Sequence, residues 1–185
     1  MLQEIRWHGR AGQGVITVSR LLAQAAMLEK KHAQAFPEFG PERIGAPISG
    51  YTRIDTELIN LHSRIYEPDI VVVLDPSLIP IVEITEGLKK GGDLILNTKK
   101  MPDEINRELK LNTANPFTLD ATRICLDSLG NTKALNTIML GALVKVSELV
   151  SLDSVVKSLE ERFSGPILEK NIELIKQGYS EVKGM

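Results

Sequence analysis

Cysteine is nearly absent: the 185 residues contain one, Cys125. A single thiolate cannot hold an iron–sulfur cluster, a structural zinc of the Cys-rich kind or an internal disulfide. The three histidines, His8, His32 and His62, lie too far apart in sequence for a local metal motif. Metal or redox chemistry linked to this chain must therefore sit on another chain or on a bound cofactor. No apolar run approaches the ~18 residues of a membrane span. The start, Met1-Leu2-Gln3-Glu4, lacks the charged region and apolar core of a signal peptide. Those two absences make the cytoplasm the default location. Charge of one sign is lacking too: the net value is −2, and each half, divided at Gly92, carries −1. With no basic half, patch or tail, nucleic-acid binding is not expected.

What is present is ordinary in amount and informative in order. Hydrophobic residues make up 43% and charged residues 25%, a soluble globular composition. A chain this long buries roughly 70% of its unfolded surface and folds without staples. It reads as one domain over residues 1–185, with a helical C-terminal extension from about residue 136.

A strand pattern from Leu2 to Trp7 runs into the glycine turn HGRAGQG. A helix pattern follows, with Val15, Val18, Leu22 and Ala25 on one face and Lys30 and Lys31 closing it. From Phe36 to Pro47, Pro37, Pro41, Pro47, Gly40 and Gly45 forbid a regular element. A stiff, irregular stretch of this kind is usually functional or interfacial. Alternation in Tyr51–Ile54 and Leu58–His62 predicts a hairpin about Asp55-Thr56-Glu57. The aliphatic run Ile70–Leu74 predicts a strand buried on both faces, and Asp75-Pro76-Ser77 predicts a helix to about Leu88. Strands follow at Leu94–Leu96 and Phe117–Leu119, with helices at Pro102–Leu109 and around Cys125. The remainder reads as helices, about Asn136–Leu149, Leu152–Phe163 and Pro166–Tyr179. Strand–helix alternation implies the α/β class. The expected architecture is three-layer α/β/α with a mostly parallel central sheet, an added hairpin and a C-terminal helical segment.

In that arrangement four strand ends, Gly9, Asp75, Asn97 and Asp120, line the edge where open α/β sheets bind ligands. Glycines at 9, 12 and 14 match neither the G-x-G-x-x-G dinucleotide fingerprint nor a Walker A loop. A glycine turn feeding a helix start still presents N–H groups and positive dipole to an anion, with Arg10 able to add a charge. The alternative is a tight turn that only lets the helix pack on the sheet. Asp75 and Asp120 read first as helix N-caps. His8 reads as structural unless it points into the cleft; Lys99 and Lys100 read as solvated charges. Glu38, Glu42 and Arg43 read as a surface ion-pair set. Asn136 reads as a helix cap, and Gly141 as a close-packing position. No nucleophile–base pair or G-x-S-x-G elbow is present. No catalytic residue is expected, and the chain does not look active alone.

Five collinear stretches then carry a resemblance: IRWHGRAGQG (Ile5–Gly14), QAFPEFGPERIGAP (Gln34–Pro47), EPDIVVVLDPSL (Glu67–Leu78), EGLKKGGDLILNTKK (Glu86–Lys100) and NTIMLGAL (Asn136–Leu143). Together they resemble the gamma subunit of pyruvate:ferredoxin oxidoreductase and, more broadly, of the 2-oxoacid:ferredoxin oxidoreductases. The resemblance implies a complex whose alpha and beta subunits bind thiamine diphosphate with magnesium and decarboxylate a 2-oxoacid. Iron–sulfur clusters in beta and delta pass the electrons to ferredoxin, and coenzyme A accepts the acyl group. The gamma unit is α/β/α and belongs to the coenzyme A side.

The chain agrees by omission, having no cluster cysteines and no GDG followed by NN for a thiamine-diphosphate magnesium site. The family's GRGGQG turn carries Ala11 here, which asks for a negative φ. Joined to the turn, the resemblance implies that Gly9, Arg10, Gly12, Gln13 and Gly14 hold a coenzyme A phosphate. It also implies that Phe36, Pro37, Glu38, Phe39, Gly40, Pro41, Glu42 and Arg43 dock against alpha or beta, with no metal site. Two other readings remain: a purely structural docking subunit, and a stand-alone NAD- or FAD-dependent oxidoreductase. The glycine spacing and the lack of an acidic residue closing a strand over Ala33–Phe36 oppose the second.

Overall fold

The computed structural model describes residues 1–38 and 45–184. Aliphatic runs build its centre. The strands β1 (Gln3–Arg10), β4 (Ile70–Val73), β5 (Asp93–Asn97) and β6 (Asn115–Leu119) lie parallel, each beside the next. On the far side of β1, β3 (Pro47–Asp55) pairs antiparallel with both β1 and β2 (His32–Pro37). The six strands described are ordered β2-β3-β1-β4-β5-β6. All four residues of β4 are buried, which is why its sequence shows no polar alternation.

Helices cover both faces unequally. One face carries α1 (Val15–Leu28), α3 (Ala121–Leu129), α4 (Leu135–Ser147), α5 (Leu152–Glu160) and α6 (Gly165–Glu181). Their apolar sides share a core with Ile5, Trp7, Val72 and Ile95, and Cys125 lies inside it, where burial pushes its thiol pKa up. The Trp7 indole donates to Thr52 Oγ1 at 3.1 Å, and Thr52 donates to the Ser19 carbonyl at 3.1 Å, so both side chains are satisfied within the core. The other face carries α2 (Pro102–Leu109) and a coil over 79–88, closing over Val71, Val73, Leu94 and Leu96. The close-packing reading of Gly141 is borne out: a Cβ there would lie 2.1 Å from the Ile175 carbonyl oxygen on α6.

Four local expectations are corrected. Residues 58–62 form no strand, because β1 and β2 already occupy both sides of β3; the antiparallel partners of β3 are β1 and β2. Instead, Gln34 and Arg53 side chains hold 59–64 by donating to the carbonyls of Ile59, Leu61 and Arg64. The helix expected from Asp75 stops after one 3₁₀ turn, Pro76–Leu78. Pro80 lacks the N–H a helix interior needs, and Ile79, Ile81, Val82, Ile84 and Thr85 are β-branched. Asn136 does not cap α4, whose N-cap is Ala134; its side chain reaches Gly14 instead. The first helix also ends before the two lysines expected to close it, and Lys30 has a positive φ.

Candidate functional site

The glycine turn joins β1 to α1, and its shape follows from three glycines with different tasks. Gly9 ends the close approach of helix to strand: a Cβ there would lie 2.5 Å from Val15 Cγ2. Gly12 and Gly14 have φ of 99° and 76°, a region that favours glycine. Ala11 has no positive φ, as its β-carbon requires. Gly14 is the N-cap of α1 and supplies no side-chain oxygen, so the first amides of the helix stay open. Ala11 N–H donates to the Ala46 carbonyl and Gln13 N–H to the Arg10 carbonyl, whereas the Gly12 and Gly14 N–H groups meet no acceptor among the described residues.

Side chains around the turn serve as braces. Gln13 Oε1 accepts from the Arg10 N–H at 2.7 Å, and Gln13 Nε2 donates to Asp75 Oδ2 at 2.9 Å. The Arg10 guanidinium lies 3.2 Å from Asp75 Oδ2 and donates to Ser77 Oγ and to the Gly45 carbonyl. Burial raises the Asp75 pKa, but hydrogen bonds from Ser77 and Gln13 and the charge of Arg10 outweigh it and hold the carboxyl below its usual range. Arg10 is therefore engaged by protein partners.

Gly12 and Gly14, the residues with open amides, line a cavity of about 660 Å³ between the turn, Thr17 and the C-terminal helices. Its apolar wall includes Phe163, Ile167 and Leu174, and its cations are Lys133, Arg162 and Lys170. Lys170 pairs with Glu173, while Lys133 and Arg162 make no ion pair among the described residues. Asn136 and Thr137 at the start of α4 complete the wall beside Gly14. A cavity of this size with few cations and a helix start suits an elongated ligand with phosphate and apolar parts. Lys133 and Arg162 carried no sequence signal, since only the packing of α4 and α5 on α1 brings them, just before α4 and just after α5, to the turn.

The other strand ends do different work. Asn97 is buried and ties three loops together: Nδ2 donates to the Leu74 carbonyl and Thr122 Oγ1, and Oδ1 accepts from Thr122 N–H. Asp120 caps α3 by accepting from Arg123 N–H, and Asp75 caps the 3₁₀ turn, as expected of both. Of the stretch expected to dock on partners, Phe36 packs against Tyr51 with ring centroids 5.2 Å apart, and Pro37 ends β2. Glu38 accepts from Tyr51 Oη at 2.6 Å and from Arg64 at 2.8 Å. Phe39, Gly40, Pro41, Glu42 and Arg43 lie outside the described residues.

A polar cluster on the opposite sheet face was not foreseen. His8 does not enter the cavity at the turn; it is buried, and its Nε2 accepts from Arg6 Nε at 3.1 Å. Burial, and then the Arg6 charge, lowers its pKa to about 4, so it is neutral at pH 7. Tyr51, in register with Arg6 across the β1–β3 ladder, has its pKa raised by burial and by Glu38. The signal in sequence was the alternation Arg6, His8 against Ile5, Trp7, which puts two polar residues on a face that must also be covered.

Comparison with known proteins decides the family. Residues 4–181 match the model of the pyruvate ferredoxin/flavodoxin oxidoreductase family. The chain belongs to this family. The pyruvate/ketoisovalerate oxidoreductases common subunit gamma of Thermococcus litoralis is 46% identical over 96% of this chain and 96% of its own length. Pyruvate synthase subunit PorC of Methanothermobacter thermautotrophicus is 44% identical, over 97% of this chain and 96% of its own. In structure, pyruvate oxidoreductase subunit PORC of Thermotoga maritima superposes with a TM-score of 0.87 at 38% identity, over 99% of this chain and 98% of that one. The chain is a gamma subunit of a 2-oxoacid:ferredoxin oxidoreductase, and the three-layer α/β/α expectation is borne out. No helix among the described residues is long and apolar enough to cross a membrane.

Proposed function

We propose that this gamma subunit binds and positions coenzyme A for the 2-oxoacid:ferredoxin oxidoreductase complex. The observation that carries the reading is the pair of open amides, Gly12 and Gly14, at the mouth of a cavity holding Lys133 and Arg162. The residues present fit the group: N–H donors and cations for phosphate, and an apolar wall at Phe163 and Ile167 for the remainder. Coenzyme A supplies the thiol that accepts the acyl group. The chain's own residues bind and orient; Gln13, Arg10 and Asp75 keep the turn in its open-amide shape, and Asn136 buttresses Gly14 from α4. Such a subunit acts through proximity, not through acid–base chemistry.

The same reading assigns partners. Alpha, beta and delta subunits surround this chain in the cytoplasm, with ferredoxin as the electron acceptor. Thiamine diphosphate, magnesium and the iron–sulfur clusters sit on those subunits. The stretch Phe36–Arg43 is the docking surface against alpha or beta.

A purely structural role is the competing reading, since Arg10 is engaged within the protein. Steady-state kinetics of the reconstituted complex separate the two. Lys133→Ala with Arg162→Ala should raise the coenzyme A KM about tenfold or more, the effect of losing one charge-assisted contact, at nearly unchanged kcat. Unchanged KM in an assembled variant complex would favour the structural reading.

A further inference from the structure

The polar cluster on the sheet face away from α1 contains a buried cation, Arg6, with no ion pair among the described residues. Arg6 is 6% exposed. Its Nε donates to the neutral His8 ring and its Nη2 to the carbonyls of Ile84 and Glu86. It forms no ion pair among the described residues, and its Nη1 has no acceptor there. Burial lowers its pKa by more than the nearby Tyr51, Glu86 and Glu38 raise it, so the buried guanidinium is under-compensated, which is costly. The neighbouring arginines contrast with it: Arg53 pairs with Glu4 at 2.9 Å and Arg64 with Glu38 at 2.8 Å.

Arg6 borders a cavity of about 410 Å³, together with His8, Ser49, Tyr51 and Val82. That volume is at the small end of ligand sites, which run from about 300 to 1,000 Å³. Because His8 Nε2 accepts from Arg6, the imidazole proton sits on Nδ1. There it faces Ser49 Oγ at 3.4 Å, a long contact that leaves the donor available to a better acceptor. The Glu38–Arg64 pair and Tyr51 line this cavity and also a second one of about 730 Å³, so the pair stands between the two. Glu67, Glu83 and Glu86 are exposed and line the same cavity. They disfavour ligands with several negative charges.

We propose that this cavity is a second ligand site, taking a small monocarboxylate whose carboxylate meets Arg6 and the Nδ1–H of His8. A single negative charge compensates Arg6, and the acidic rim selects against phosphates and dicarboxylates. The site shares no lining residue with the cavity at the glycine turn, so it neither needs nor tests the coenzyme reading.

The full chain is titrated with acetate and with pyruvate at pH 7 and fixed ionic strength, with inorganic phosphate as the comparator. NMR follows the Arg6 Nε–H and His8 ring signals. Both monocarboxylates should give saturable shifts at these residues, with phosphate binding weaker. Arg6→Lys should weaken binding about tenfold or more. Arg6 also holds Ile84 and Glu86, so that variant can lose its fold; Ser49→Leu then decides, because it fills the cavity while leaving Arg6 in place. Binding lost in Ser49→Leu, with a normal thermal melt, supports the site. Absence of saturable shifts, equal binding of phosphate, or undiminished binding in folded Ser49→Leu would overturn it.

Discussion

Where α4 crosses α6, two rules of thumb for a helical glycine predict opposite signs. Alanine is the better helix former by about 1 kcal/mol, so Gly141→Ala and Gly178→Ala would stabilise isolated helices. In the folded chain a Cβ on Gly141 would lie 2.1 Å from the Ile175 carbonyl oxygen, and one on Gly178 2.0 Å from the Ile138 carbonyl oxygen. Both obstacles are backbone, so no rotamer change relieves them and the helices must separate. Overpacking usually costs about 1–3 kcal/mol, and contacts this short belong at the upper end or beyond. The net loss is then about 2 kcal/mol per site. For a chain of this size that lowers Tm by roughly 4–8 °C. Circular dichroism melts of the wild type and both variants read this directly. Tm unchanged or raised in both would refute the close-packing account. Separation would also displace Thr137 and Lys170, which line the cavity at the turn, so a folded variant should show a raised coenzyme A KM.

Further outcomes follow from other groups. His8 has a folded-state pKa of about 4 against 6.5 when unfolded, so the unfolded chain binds more protons between those values. Stability is full above about pH 6.5 and falls by on the order of 3 kcal/mol as pH drops to about 4; urea titrations should show that slope, and His8→Gln should flatten it. Glu29 is held at about 2 because hydrogen bonds from Lys31 and Ser151 overcome its desolvation. Its contribution is present above about pH 4.5 and is lost towards pH 2, a loss that Glu29→Gln should remove from the acid limb. Gln13→Ala removes two hydrogen bonds from the turn and should cost about 1–2 kcal/mol in denaturant titrations. Gln13→Glu should cost more, since it sets a second carboxylate against Asp75.

Much of the fold was legible because the chain declares it locally. Ile70–Val73 is aliphatic throughout, Pro102 and Pro166 stand at helix starts, and Asp120 precedes the helix it caps. What was not legible depends on distant partners. Residues 58–62 alternate like a strand, yet β3 has no free side for them. Asn136 precedes an apolar helix and looks like a cap, but Gly14, 122 positions away, claims its side chain. The glycine turn was found from its spacing, whereas Lys133 and Arg162 reach it only through the packing of α4 and α5 on α1. Arg10, the cation nearest in sequence, is taken by Asp75, and no local rule announces that.

The central claim is that this gamma subunit contributes the coenzyme's phosphate site. Isothermal titration of the assembled complex with coenzyme A tests it most directly, comparing wild type with Gly12→Val. Gly12 has φ 99° and nothing within 4 Å of a built Cβ. A valine there strains the turn and crowds the cavity mouth without striking the core. The account predicts affinity reduced about tenfold or more in a complex that still assembles. Unchanged affinity in that complex would contradict it.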